Sequence, residues 1–268
     1  MVAATGKERE PAFDPRPPGA AREPTPRWWG NHPAELRWQL ELYRLLVDPV
    51  FRGHGVPRGD GRPVLLLPGF GAGDYTLAVM GSWLRRIGYA SGTAGFLTNA
   101  DCSNRALERV ERTVTALSER YQRRVAVIGH SRGGHLARAM AHRRPDQVSH
   151  AIALAANLRQ MLGISAPTQG AVALARALQR RLGRAERPGC LTETCGCEFA
   201  RDFSRPFPEK RVRLTSIYSK GDGVVRWEGC LVPYADCVEV TGSHVGLIFN
   251  RKVYRAVGRA LAVPELGH

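Results

Sequence analysis

The sequence predicts an α/β protein, a mostly parallel sheet with helices on both faces. Three observations carry that expectation. Short apolar runs alternate with amphipathic segments along most of the 268 residues. The stretch Val125–Gly134, V-A-V-I-G-H-S-R-G-G, passes without a break from a buried-type strand through a sharp turn into a helix-forming segment. Phe70, Ser131, Asp222 and His244 all fall just beyond the ends of predicted strands, where open parallel sheets bind their ligands.

Length and composition suit a single domain with a substantial core. Formal net charge is +15, from 39 Lys and Arg against 24 Asp and Glu. Such a balance suggests nucleic acid or a membrane surface. The basic residues are nearly all arginines scattered through predicted helices, and no nucleic-acid-binding motif accompanies them. They read as solvated faces. No run approaches the roughly 18 apolar residues of a membrane span. The first residues, M-V-A-A-T-G-K-E-R-E, lack the apolar core of a secretory signal, so a cytoplasmic protein is expected.

Residues 1–30 are rich in Pro, Arg and Glu and predict a disordered leader, leaving 31–268 as the folded domain. Pro33 opens a helix whose expected apolar stripe is Leu36, Leu40, Tyr43 and Val47, and Pro49 closes it. Val64–Leu67 is apolar throughout, as a strand buried on both faces should be. A helix over Tyr75–Gly88 and a small-residue strand over Tyr89–Gly95 follow. Ser103–Tyr121 is the clearest helix, with Leu107, Val110, Val114, Leu117 and Tyr121 on one face. After the Val125 strand come a helix over Gly133–Arg143 and a strand over Val148–Ala155. Asn157–Arg201 is too long for a strand-to-strand connection and reads as a lid-like insertion. It carries one helix with Ala171, Leu174, Leu178 and Leu182 on its apolar stripe, and the three leucines are the expected lining of a substrate pocket. Alternation resumes with strands over Val212–Ser219 and Cys237–Thr241 and a helix over Asn250–Leu261.

The serine turn carries the chemistry. A serine on so tight a strand-to-helix turn takes a strained backbone, and the residues two before and two after it, Gly129 and Gly133, must be small. The hydroxyl then stands clear of the sheet above N–H groups of its own helix. A serine hydroxyl needs a base. With such an elbow the partners follow in the order Ser, Asp or Glu, His. Of eight histidines, His32, His54 and His130 precede Ser131, His135 and His142 lie on the helix of the elbow and His150 starts a strand. That leaves His244 and terminal His268, and His244 lies in a loop directly after a strand. His130, beside the serine, is expected to point away from it. Asp222, in a glycine-flanked loop after a strand, is the expected acid, ahead of Glu228, Asp236, Asp202 and Glu239. The glycine-rich loop Pro68–Asp74 has neither P-loop nor dinucleotide spacing. It suits one half of an oxyanion hole, with Phe70 N–H as donor, Gly71 as second choice, and Arg132 N–H as the other half.

Cys190-x4-Cys195-x-Cys197 resembles half of a metal site that nothing completes, and Cys230 with Cys237 is the best-spaced pair for a disulfide. No metal or organic cofactor is expected.

P-G-F-G at Pro68, G-H-S-R-G-G at Gly129, Y-S-K-G-D-G-V-V at Tyr218 and G-S-H-V-G-L at Gly242 together resemble the oxyanion loop, elbow, acid loop and histidine loop of α/β-hydrolases. The likeness is greatest to bacterial lipase- and esterase-like members and runs from Pro63 to Leu261. It implies a Ser131–His244–Asp222 triad that cleaves carboxylic esters through an acyl-enzyme, with a small-molecule ester or lipid-like substrate. Acyl transfer and thioester cleavage use the same triad, and a ligand-binding member that kept the fold would need none of it. Pro68 departs from the pattern, since many lipases carry a histidine before the oxyanion glycine.

Overall fold

Six strands form one all-parallel sheet in the order β2-β1-β3-β4-β5-β6: β1 Pro63–Leu67, β2 Ala90–Thr93, β3 Val125–His130, β4 Val148–Leu154, β5 Arg213–Ser219 and β6 Asp236–Val240. The structure is a computed structural model that describes residues 32–182 and 196–267. The leader expected over 1–30, terminal His268, and Cys190 and Cys195 of the cysteine cluster lie outside the described residues. From β1 the chain crosses to one side to form β2, then returns to build β3 to β6 on the other. The crevice between the carboxyl ends of β1 and β3 is therefore the topological switch point, and the two loops that leave there carry Phe70 and Ser131.

The two faces of β1 and β3 follow from the alternation of side chains along a strand. Leu65, Leu67, Val125 and Val127 point into one core, with Leu107 and Val110 of α3 (Ser103–Tyr121), Leu136 and Met140 of α4 (Arg132–Arg143) and Phe199 of α6 (Glu198–Ser204). Val64, Leu66, Ala126 and Ile128 point into the other, against Met80 and Trp83 of α2 (Ala78–Arg86) and Tyr254 of α7 (Arg251–Ala262). Burial on both sides explains why these strands read as unbroken apolar runs rather than alternating ones. No helix is long and apolar enough to cross a membrane among the described residues.

Three expectations need correction. The N-terminal helix begins as a 3-10 turn, His32–Arg37, and becomes α1 over Trp38–Val47, but its leucine stripe faces outward, with Leu36 72% and Tyr43 66% exposed. The inward side instead presents half-buried Trp38 and Glu41 and fully buried Leu45, with Trp38 against Phe249. Among its described residues the insertion carries two helices, α5 (Ala166–Arg181) and α6, and an isolated bridge from Ile164 to Val225 ties it to the loop after β5. Cys230 and Cys237 are free thiols and form no disulfide with each other. Cys237 Sγ sits against the carbonyls of Cys230 and Val232 rather than against sulfur. No cluster of three metal-ligating side chains exists among the described residues.

Candidate active site

Ser131 sits between β3 and α4 at φ 51° and ψ −120°, a conformation a side chain tolerates only when its surroundings enforce it. The enforcement is visible in the glycines. A Cβ on Gly129 would come within 2.0 Å of the Gly133 carbonyl oxygen, and one on Gly133 within 2.2 Å of the Leu67 carbonyl oxygen. Ser131 N–H donates to Leu154 C=O (2.8 Å), and its own C=O accepts from Gly134 N–H (2.8 Å). The turn is thus anchored to β4 on one side and to its own helix on the other.

Asp222 and His244 are brought together. His244 Nδ1 and Asp222 Oδ2 are 2.8 Å apart, and both side chains are buried. The other carboxylate oxygen of Asp222 accepts from Val224 N–H (2.8 Å) and Val225 N–H (2.7 Å), so its loop folds around it. Burial alone pulls the His244 pKa down; the charge and hydrogen bond of Asp222, with the charge of Glu35, outweigh burial and hold it above the ordinary imidazole value. Nδ1–H donating to the carboxylate leaves Nε2 as the basic nitrogen. A hydrogen bond from Ser131 Oγ to His244 is not among those made by the described residues, and such bonds tighten in many enzymes only with substrate present.

The structure places His130 against the histidine loop. Its ring lies 4.7 Å, centroid to centroid, from that of His244, and its Nε2 donates to the His244 carbonyl (3.0 Å). Burial and the neighbouring His244 push its pKa down to about 3, so it is a neutral donor that holds the histidine loop against the elbow. This contact was legible only as the histidine of G-H-S, with nothing in the sequence to say where its ring went.

Phe70, Ser131 and Arg132 line one cavity of about 70 Å³. Its remaining walls are largely apolar: Met161, Leu162, Ile164 and Val172 from the insertion and Phe199 and Ala200 from α6. Gly71 N–H, the second-choice oxyanion donor, is engaged by Asn99 C=O (3.1 Å). Asn99 was not foreseen. Fully buried, it donates from Nδ2 to Pro68 C=O (2.7 Å) and accepts at its backbone oxygen from Arg132 Nη1 (2.7 Å). Arg132 also donates to Asp101 C=O (2.6 Å) and Ser103 Oγ (3.2 Å), so one buried guanidinium ties the connection between β2 and α3 to the elbow, and Asn99 ties that connection to the loop after β1. Leu174, Leu178 and Leu182 do not line the cavity and are exposed, Leu174 to 72%. The α5 residues that do line it are Thr168 and Val172.

Comparison with solved structures bears on the fold. The fold is that of the α/β-hydrolases. The mature form of the Bacillus licheniformis lipase BlEst2 superposes with a TM-score of 0.56 at 13% identity, over 78% of this chain and 95% of that one. A monoacylglycerol lipase from Paleococcus ferrophilus gives 0.52 at 16% identity, over 77% and 96%. A soluble variant of monoglyceride lipase from Saccharomyces cerevisiae gives 0.50 at 15%, over 77% and 89%. The family model Esterase, described as "Putative esterase", matches residues 103–186, a stretch that contains the elbow and α4. No curated protein matches the sequence.

Proposed function

We propose that this chain is a serine hydrolase that cleaves small carboxylic esters. The observation that carries the reading is the buried Asp222–His244 pair, 2.8 Å apart, with the His244 carbonyl bonded to His130, the residue before a serine at φ 51°. Neither feature has a use in packing, and together they are what a serine needs to act as a nucleophile.

In the proposed reaction Ser131 Oγ attacks the ester carbonyl while His244 Nε2 takes its proton. Asp222 keeps the ring in the tautomer that leaves Nε2 free to do so and stabilises the imidazolium. The carbonyl oxygen becomes an oxyanion, which Phe70 N–H and Arg132 N–H stabilise at the start of α4. His244 then protonates the departing alcohol, and water, activated by the same imidazole, releases the acid from Ser131. The acyl group occupies the apolar cavity beneath Phe70. A volume of about 70 Å³, against about 30 Å³ for a water molecule in the liquid, favours short acyl chains over long ones. The insertion, which supplies much of the wall, serves as a fixed cap over the acyl group.

The test is hydrolysis of p-nitrophenyl acetate, butyrate and decanoate by the wild type and by Ser131→Ala and His244→Ala. Turnover of acetate and butyrate well above decanoate is expected, with both variants at least about 10³-fold slower. Equal activity in Ser131→Ala contradicts the assignment.

A further inference from the structure

We propose that Glu35, in the 3-10 turn that precedes α1, is a positioning residue for the proposed reaction: its carboxylate joins the acid loop to the histidine loop and fixes the geometry of Asp222 against His244. The inference rests on the hydrolase reading above for what that geometry does, but the contact itself stands independently. Glu35 Oε1 accepts from Gly223 N–H (2.9 Å), the residue after Asp222, and from His244 N–H itself (2.9 Å). Its Oε2 accepts from Val245 N–H (2.8 Å). Three amides from two loops thus converge on one carboxylate that lies 209 residues from His244 along the chain.

The loop is shaped for an anion. Ser243, His244 and Val245 each direct a consecutive N–H group at a carboxylate of the N-terminal segment, and successive amides can form a concave anion site. Glu41 supplies the rest of the filling: its Oε1 accepts from Ser243 N–H (3.1 Å). Gly246 makes room for it, since a Cβ there would fall within 1.5 Å of Glu41 Oε2. The same N-terminal segment reaches the insertion, where His32 Nε2 lies 3.1 Å from Ser165 Oγ. Charge-assisted bonds of this type are about twice as strong as neutral ones, and two loops bonded to one rigid group move as a unit.

The ionisable groups that face His244 come from three elements: Asp222 from the acid loop, His130 from the elbow and Glu35 from the N-terminal segment. His130 is neutral, so Asp222 and Glu35 are the two charges that favour the imidazolium. Removing the Glu35 charge must therefore make His244 easier to deprotonate. A residue that merely helped the fold would not do this.

Two variants separate the effects. Glu35→Gln keeps the shape, loses the charge and places an NH2 where one acceptor stood; Glu35→Ala removes the whole clamp. For Glu35→Gln the acid limb of the kcat/KM profile is expected to move to lower pH. The His244 imidazole titration, followed by 15N NMR and assigned with His244→Gln, should move the same way. For Glu35→Ala, kcat should fall by about 10- to 100-fold, as small misplacements of catalytic groups do, with KM within about twofold because the cavity walls lie elsewhere. Wild-type kcat in Glu35→Ala overturns the proposal. So does a lowered Tm with the pH limb and the His244 titration unchanged in Glu35→Gln, which is the pattern of a purely structural contact. If the wild type hydrolyses no ester, the hydrolase reading fails, and the NMR titration still decides the role of Glu35.

Discussion

At the scale of single residues, the groups most visible in the sequence are those whose chemistry constrains the local backbone. Gly129 and Gly133 were legible because a strained serine turn requires small neighbours, and the structure puts each Cβ position against a backbone carbonyl oxygen. Neither obstacle is a flexible side chain, so nothing can swing aside. Gly129→Ala is therefore expected to lose about 3 kcal/mol of stability, the upper end for overpacking, as measured by urea unfolding. A loss below about 1 kcal/mol would mean that the turn relaxes freely and that its strain is not enforced. Asn99, Glu35 and the ring of His130 were not legible. Each acts through a partner far along the chain, and no local pattern encodes the tertiary contact that gives it a role.

At the scale of elements, strands and their periodicity were readable and helix facing was not always so. Ser103–Tyr121 matches its expected bounds, because a long amphipathic stripe leaves one face to bury. α1 and α5 are short of that clarity. Across the 3-10 turn and α1 the inward face is chosen by Leu45, Trp38 and the carboxylates of Glu35 and Glu41, which satisfy loop amides, so an apparent leucine stripe ends outside. In α5 only Val172 is buried among its apolar residues, and it is Val172 that reaches the cavity. Filling that position tests the acyl site. Val172→Phe should slow butyrate hydrolysis by about tenfold or more relative to acetate, whereas the double variant Leu178→Ser, Leu182→Ser should leave the acetate-to-butyrate ratio unchanged. A changed ratio in the double variant and an unchanged one in Val172→Phe would return the pocket to the outer stripe of α5.

At the scale of the whole molecule, the parallel sheet was legible from runs of apolar residues too short for helices and too uniform for half-exposed strands. The order of the strands was not, yet it is the order that makes a site. The reversal between β1 and β3 opens the crevice into which Phe70 and Ser131 project, and β5 and β6 deliver Asp222 and His244 to the same end of the sheet. The charge of +15 finds no counterpart in this site, whose cavity is mostly apolar and whose buried arginine, Arg132, is occupied with carbonyls and a hydroxyl. The central claim is that Ser131 is a nucleophile activated by this assembly, and the most direct measurement is covalent labelling of the native protein by a fluorophosphonate, mapped by peptide mass spectrometry. The account predicts a single phosphonylated residue, Ser131, with labelling lost in Ser131→Ala and strongly slowed in His244→Ala; labelling of another residue, or equal labelling of the Ser131→Ala variant, would contradict it.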